Sequence, residues 1–287
     1  MDIIERMRNK EDFTASEQVL INLILTNPDI MLNNPTTTQL AAKAYTSAST
    51  MVRLCQKLGC STFAEFKTKF IYQYQLRENP HLYVDANLPF SATDTSAAVL
   101  DQLSNLEEIA IRQTRTIMNL DSYDKAIRML NEATCIDIYG SGGNVNLFHD
   151  FSYKMGTIHH QVHLHTDRQN QILSASTRNS SHCAILISYS GETRDTLYCA
   201  KLLQKNHTPT ISITSQGANS LTNLTDLHLY IASLENKTFG NTKLGTFTSN
   251  ISISTIMNYL FAGVFQLNYS RNYQYLLEDR ILFLENK

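Results

Sequence analysis

Five short runs rich in β-branched and aliphatic residues punctuate the second half of the chain: CIDIY (135–139), QVHLH (161–165), AILIS (184–188), TISIT (210–214) and LHLYI (227–231). Helical segments separate them. Alternation of this kind predicts an α/β domain, a parallel five-stranded sheet flanked by helices. A helix over 122–131 precedes the first run. Before that lies a longer helical stretch whose apolar positions are Val99, Leu103, Leu106, Ile109, Ile111 and Ile117.

The first 78 residues follow a different rhythm, and an all-α domain is expected there. Thr14 and Glu17 have capping-box spacing and lead into Val19, Leu20, Leu23 and Ile24 at helical intervals; Asn27-Pro28 ends that helix. A short helix over 38–44 precedes a third, capped by Ser47 and running through Lys57. Its apolar stripe is Met51, Leu54, Cys55 and Leu58, with Gly59 just past its end. Two short helices joined so closely describe a helix-turn-helix, whose second helix enters the major groove N-terminus first. Ser47, Ser49, Thr50 and Arg53 then face DNA, with Lys43 and Lys57 placed for phosphates. A helical bundle with a basic face fits the spacing equally well. Residues 79–93 hold two prolines without helical period and read as a linker, leaving 94–287 as the second domain.

Charge divides along the same lines. The 287-residue chain carries a net −2, but residues 36–77 alone carry six basic side chains against Glu65, a net of +5. A compact basic segment in an acidic chain points to a polyanionic partner. The length suits two domains, and 43% hydrophobic with 17% charged residues excludes a disordered or collagen-like chain. Five scattered cysteines, without a CxxC pair, indicate neither a disulfide framework nor a zinc knuckle. With no signal-like N-terminus, the cytoplasm is the expected location. Leu244 to Ser270 lacks any charge, yet ten polar side chains interrupt it. A helix buried in the fold or at a subunit interface is expected there, with no membrane partner.

Two loops carry chemistry. The first strand runs into Gly140-Ser141-Gly142-Gly143-Asn144; position 145 is Val, so the dinucleotide fingerprint is incomplete. The third strand runs into Ser188-Tyr189-Ser190-Gly191-Glu192-Thr193, ahead of a helix reaching about Lys205. Three hydroxyls and a glycine at a helix start make an oxyanion cradle. No lysine completes a GxxxxGK[ST] loop. Uncharged donors suit reversible capture of a phosphorylated small molecule.

The segment LISYSGETRDTLYCAKLLQ resembles the phosphate loop and helix of sugar-isomerase (SIS) domains, whose hallmark is S-x-S-G-E-T. The string S-x-S-T-x-V-R-x-C-x-K-L-G at Ser47–Gly59 resembles the helix-turn-helix of RpiR-type bacterial regulators, which join such a domain to a C-terminal SIS domain. The resemblance implies that Ser188, Tyr189, Ser190 and Thr193 hold a phosphate. It also implies a contribution from Ser141 and Gly142, with Asn144 where relatives present Ser or Thr. Asp167 and Gln171 match D-P-H-L-Q, although Arg168 and Gln169 replace its proline and histidine. Ser249 matches G-A-M-S-S-R, which has lost its arginine here. At the turn before Ser47 the usual glycine is Tyr45, so a differently shaped turn is expected.

The expectation is therefore a non-enzymatic transcription regulator. A phosphosugar, an amino-sugar phosphate among the options, tunes its binding to a palindromic double-stranded operator as a homodimer or higher homo-oligomer, with no cofactor. A phosphosugar aldose–ketose isomerase with an accessory helical domain is the alternative. Glu192 and Glu235 are the carboxylates offered for proton transfer. His159, His160, His163 and His165 crowd one segment, but lack neighbouring Cys, Asp or Glu except Asp167, and no metal site is expected.

Overall fold

The computed structural model describes the chain except residues 1–2, 10–11, 33–34, 79–83, 141–147, 218, 233, 236–243 and 286–287. Its residues gather into two units. One comprises 1–116 with 216–218 and 232–248; the other comprises 117–215, 219–231 and 249–287.

The first unit is helical: α1 (Ile3–Arg8), α2 (Ala15–Thr26), α3 (Asp29–Leu32), α4 (Thr37–Lys43), α5 (Ala48–Lys57), α6 (Phe63–Glu78) and α7 (Ser96–Ile117). Leu20 and Ile24 of the first stripe and Met51, Leu54, Cys55 and Leu58 of the second enter its core beside Leu40 and Phe66, while Val19 stands exposed. Both halves of the expected capping box form: Thr14 N–H donates to Glu17 Oε2 at 2.8 Å and Glu17 N–H to Thr14 Oγ1 at 3.4 Å. The same carboxylate receives Lys57 Nζ at 2.8 Å, so the α2 cap also fastens the last turn of α5.

Burial alone raises the pKa of Glu17. The hydrogen bond from Lys57 and those from Thr14 outweigh it, holding the carboxyl below its ordinary range. A carboxylate with a depressed pKa contributes stability that is present above its unfolded value, near 4.3, and lost as pH falls through the folded one. Glu17→Gln is therefore expected to cost about 1–2 kcal/mol at pH 7. The gap should narrow steadily below about pH 4 in urea titrations of the two proteins.

The turn between α4 and α5 departs from the sequence expectation. Thr46 N–H bonds to Ala41 O at 2.9 Å and Tyr45 N–H to Ala42 O at 3.1 Å, the Schellman pattern that normally calls for glycine. Tyr45 adopts the left-handed conformation itself, at φ +52°, and stands 99% exposed. The turn keeps its shape, and the tyrosine bears the steric cost. Tyr45→Gly should raise the urea midpoint, worth about 1 kcal/mol.

The second unit contains α8 (Leu120–Glu132), β1 (Cys135–Gly140), α9 (Phe148–Gly156), β2 (Val162–His165), α10 (Arg168–Thr177), β3 (His182–Ile187), α11 (Arg194–Lys205), β4 (Thr210–Ser215), β5 (Leu227–Ile231), α12 (Phe247–Leu267) and α13 (Tyr269–Glu285). The five strands are parallel in the order β2-β1-β3-β4-β5. Alternate residues serve opposite faces. Ile136, Ile138, Ile185 and Ile211 pack with residues of α8, α9 and α12 on one side. Tyr139, Ala184 and Leu186 pack with residues of α10 and α11 on the other.

The uncharged α12 is a core helix of this unit, burying Ile253, Ile256, Leu260 and Val264. No helix among the described residues is long and apolar enough to cross a membrane. All five cysteines are free and buried.

Candidate ligand and nucleic-acid sites

The order β2-β1-β3 makes the carboxyl ends of β1 and β3 a topological switch point, the place where open α/β sheets leave a crevice. Gly140, the last residue of β1, pairs with Ile187, the last residue of β3. The glycine loop and the S-x-S-G-E-T loop therefore leave adjacent strands at the same level. Ser141, Gly142 and Asn144 themselves lie outside the described residues.

The second loop is one tight turn. Gly191 N–H bonds to Ser188 O at 3.0 Å, and Gly191 takes φ +68°. Ser188 is buried, with its hydroxyl 2.8 Å from that of Thr193. Thr193 occupies the N-cap of α11, yet its side chain makes no capping hydrogen bond. Its hydroxyl is spent on Ser188, so it leaves the first N–H groups of α11 uncapped. Ser190 Oγ accepts from Glu192 N–H at 3.2 Å. The turn is clamped from the β4 side: Ser215 N–H donates to Tyr189 O at 2.9 Å and Leu221 N–H to Gly191 O at 3.1 Å. Tyr189 packs partly buried against the sheet core.

Neighbouring side chains position the crevice. Gln171, buried in α10, donates from Nε2 to Gly140 O at 2.6 Å and to His165 O at 3.0 Å, tying the ends of β1 and β2. Asp167 caps α10 through Asn170 N–H at 2.9 Å. Arg168, the residue that replaces the usual proline, pairs with Asp195 of α11 at 2.8 Å. Ser249 sits buried in the first turn of α12. Arg194, exposed at the first position of α11, went unread in the sequence. A cation there opposes the helix dipole unless an anion sits beside it.

Both carboxylates offered as proton-transfer groups are bound to backbone. Glu192 Oε1 accepts from Ser220 N–H at 2.7 Å, and the buried Glu235 accepts from Thr248 N–H at 3.1 Å at the start of α12.

In the helical unit, Ser47 caps α5 through Thr50 N–H at 3.2 Å. Lys43, Ser49 and Arg53 are exposed. Two of the residues read as DNA-facing have other occupations. Thr50 is buried with its hydroxyl 2.8 Å from Ser47 Oγ, and Lys57 is committed to Glu17 and to Asp12 O. The exposed face of α5 is instead the stripe Ser49, Val52, Arg53 and Gln56, at i, i+3, i+4 and i+7. Val52 and Gln56 were missed; they are the complement of the apolar stripe and readable from it.

Residues 1–76 match the helix-turn-helix domain of the rpiR family, and residues 129–262 match the SIS domain. The chain is 27% identical over 276 residues to an HTH-type transcriptional regulator of Caldanaerobacter subterraneus, covering 96% of this chain and 94% of that one. Among solved structures it resembles the NanR protein of Vibrio vulnificus, complexed with ManNAc-6P. That likeness has a TM-score of 0.59 and 20% identity over 99% of both chains. It also resembles the sugar-isomerase domain of an RpiR transcription factor from Sphaerobacter thermophilus. Here the TM-score is 0.54 at 15% identity, covering 62% of this chain and 97% of that one.

Proposed function

The chain belongs to the RpiR-type regulators, an rpiR-family helix-turn-helix domain followed by a SIS domain, and from that premise we propose a phosphosugar-controlled operator-binding protein. Residues 1–78 read the operator and residues 94–287 hold the effector. The observation that carries the reading is the Ser188–Thr193 turn. Ser190, and whichever of Ser188 and Thr193 accepts in their mutual bond, keep an O–H to donate; with the uncapped start of α11 they offer hydrogen bonds to an anion without placing a lysine on it. Ser188, Ser190 and Thr193 take the phosphate; Tyr189, Ser249 and the loop residues Ser141, Gly142 and Asn144 complete the pocket. NanR, with its ManNAc-6P, makes an N-acylamino-sugar phosphate the first effector to test.

On the DNA side, Ser47 and Ser49 at the start of α5 and Arg53 at its middle face base edges, joined by Val52 and Gln56, while Lys43 meets phosphate. The protein acts in the cytoplasm as a homodimer whose two-fold axis matches a palindromic site. Effector binding favours one arrangement of the paired helices over another. Catalysis forms no part of this role. The engagement of Glu192 and Glu235 with backbone N–H groups supports that reading.

The experiment is binding to the DNA upstream of the protein's own gene, with and without a panel of hexose, pentose and amino-sugar phosphates. Arg53→Ala should lower operator affinity by about 10–100-fold. Ser190→Phe should remove the response to effector and leave DNA binding intact. A Ser190→Phe protein that responds normally contradicts the cradle. Aldose–ketose turnover of any phosphosugar in the panel would move the chain to the isomerase reading.

A further inference from the structure

Away from the crevice, β1, β2 and β3 bring together a set of side chains that neither the cradle nor the helix-turn-helix uses. Asp137 is fully buried in the middle of β1. Cys135 lies two residues earlier on the same face, and His182, the first residue of β3, is the register partner of Cys135. Cys135 Sγ, a carboxylate oxygen of Asp137 and a ring nitrogen of His182 all lie within 4.8 Å of one another. His163 of β2, register partner of Asp137, adds a fourth group. Its Nδ1 is 3.3 Å from Cys135 Sγ and 3.7 Å from Asp137 Oδ1.

We propose that Cys135, Asp137, His163 and His182 form a tetrahedral binding site for a zinc-type divalent cation.

The separations fit. With metal–nitrogen and metal–oxygen bonds of about 2.0–2.2 Å and metal–sulfur of about 2.3 Å, tetrahedral ligands stand roughly 3.3–3.7 Å apart. The Cys135–His163 distance already falls in that range; the 3.7 Å from His163 Nδ1 runs to Asp137 Oδ1, so the His163 ring turns toward Oδ2 as the ion enters. Asp137 Oδ2 and His182 Nδ1 are 2.7 Å apart, a direct hydrogen bond that must open by about 0.6 Å to admit the ion. Side-chain rotation supplies that.

One thiolate, two imidazoles and one carboxylate are a borderline-soft set, which selects zinc over magnesium or calcium. The outer groups are in place as well. Asp137 Oδ1 accepts from Arg178 Nε at 2.9 Å and from His165 Nε2 at 2.7 Å, leaving Oδ2 for the metal. The half-exposed His163 side chain provides the way in.

Coordination releases the Cys135 thiol proton to solvent, and the two imidazoles bind as neutral rings with the remaining proton on Nε2. The bound cation, thiolate and carboxylate sum to zero beside Arg178. The sequence set metal binding aside because no cysteine or carboxylate neighbours the histidines along the chain. Parallel pairing supplies both from the adjacent strand.

The test uses the full, tag-free chain stripped of metal. Isothermal titration with zinc chloride should give one equivalent at micromolar affinity or tighter, and cobalt(II) should give a thiolate charge-transfer band with the visible spectrum of a tetrahedral ion. Cys135→Ser should abolish that band and weaken zinc by about 100-fold or more; His163→Gln, at a half-exposed position, should weaken it about 10-fold. If Cys135→Ser fails to fold, the wild-type cobalt spectrum and His163→Gln decide the matter. Wild-type affinity weaker than about 100 µM overturns the site. So does a cobalt spectrum without the thiolate band, or unchanged binding by both variants.

Discussion

Asp137→Asn should destabilise the metal-free protein by about 3–5 kcal/mol, a large share of the 5–15 kcal/mol typical of a domain. The carboxylate is fully buried and accepts from His165 Nε2 and Arg178 Nε on Oδ1 and from His182 Nδ1 on Oδ2. Burial by itself raises its pKa. The hydrogen bonds of His165, His182 and Arg178 outweigh that and hold it below the ordinary carboxylate range. An asparagine of nearly the same shape turns an N–H₂ toward one of these donors and leaves the guanidinium without its counter-charge. The cost arises from the stranded partners rather than from lost packing. Chemical denaturation of wild type, Asp137→Asn, Arg178→Gln and the double variant forms a cycle that isolates the pair. The double variant should recover part of the loss, because no uncompensated cation remains. A single variant within about 1 kcal/mol of wild type would show that solvent reaches this cluster far more freely than its burial implies.

That network was illegible in the sequence for a definite reason. Its members come from β1, β2, β3 and the end of α10, and only strand pairing brings them together. The strands themselves were legible, because a parallel sheet covered on both faces demands near-continuous apolar runs. So were α5 and its stripe, the Thr14 capping box and the glycine after α5. Each is a local rule obeyed locally, and Gly59 indeed takes φ +78°.

Local rules failed where tertiary contacts reassigned a side chain. Lys57 has the right position for a phosphate until α2, forty residues earlier, presents Glu17. Thr50 has a hydroxyl at a plausible reading position until the core stripe rotates it inward. At Tyr45 the turn keeps the shape that glycine normally takes, and the tyrosine carries the strain. In the crevice, the hydroxyls of the S-x-S-G-E-T loop were legible as a motif. The Ser188–Thr193 hydrogen bond that leaves α11 uncapped was not, because N-cap threonines ordinarily bond their own helix.

Gly191→Ala should remove effector control altogether, and its expected cost is the largest of any single methyl group in the cradle. At φ +68° an alanine is strained wherever it sits. Its Cβ would also lie 2.1 Å from Asn219 Oδ1 and 2.7 Å from Asn219 Cβ. Asn219 has no room to withdraw: it is buried, its Nδ2 donates to Thr214 Oγ1 at 3.2 Å, and its Oδ1 accepts from Thr222 N–H at 3.0 Å. The turn must therefore open. Opening it breaks the Gly191 N–H to Ser188 O bond and the Leu221 N–H to Gly191 O bond that hold the turn closed. A loss of about 2–4 kcal/mol in stability is expected from strain, overlap and the two hydrogen bonds together. Phosphosugar affinity should fall by more than about 100-fold, as the donors no longer converge. Ser190→Ala separates the two effects, since it weakens the ligand while leaving the turn and the unfolding midpoint near wild type. Adding Asn219→Gly to Gly191→Ala removes the overlap but not the φ strain. Stability should return only in part, by the share due to the collision. Operator binding without effector should persist in all three proteins. A Gly191→Ala protein that unfolds at the wild-type midpoint and still responds to phosphosugar would mean the ligand is held somewhere other than this turn.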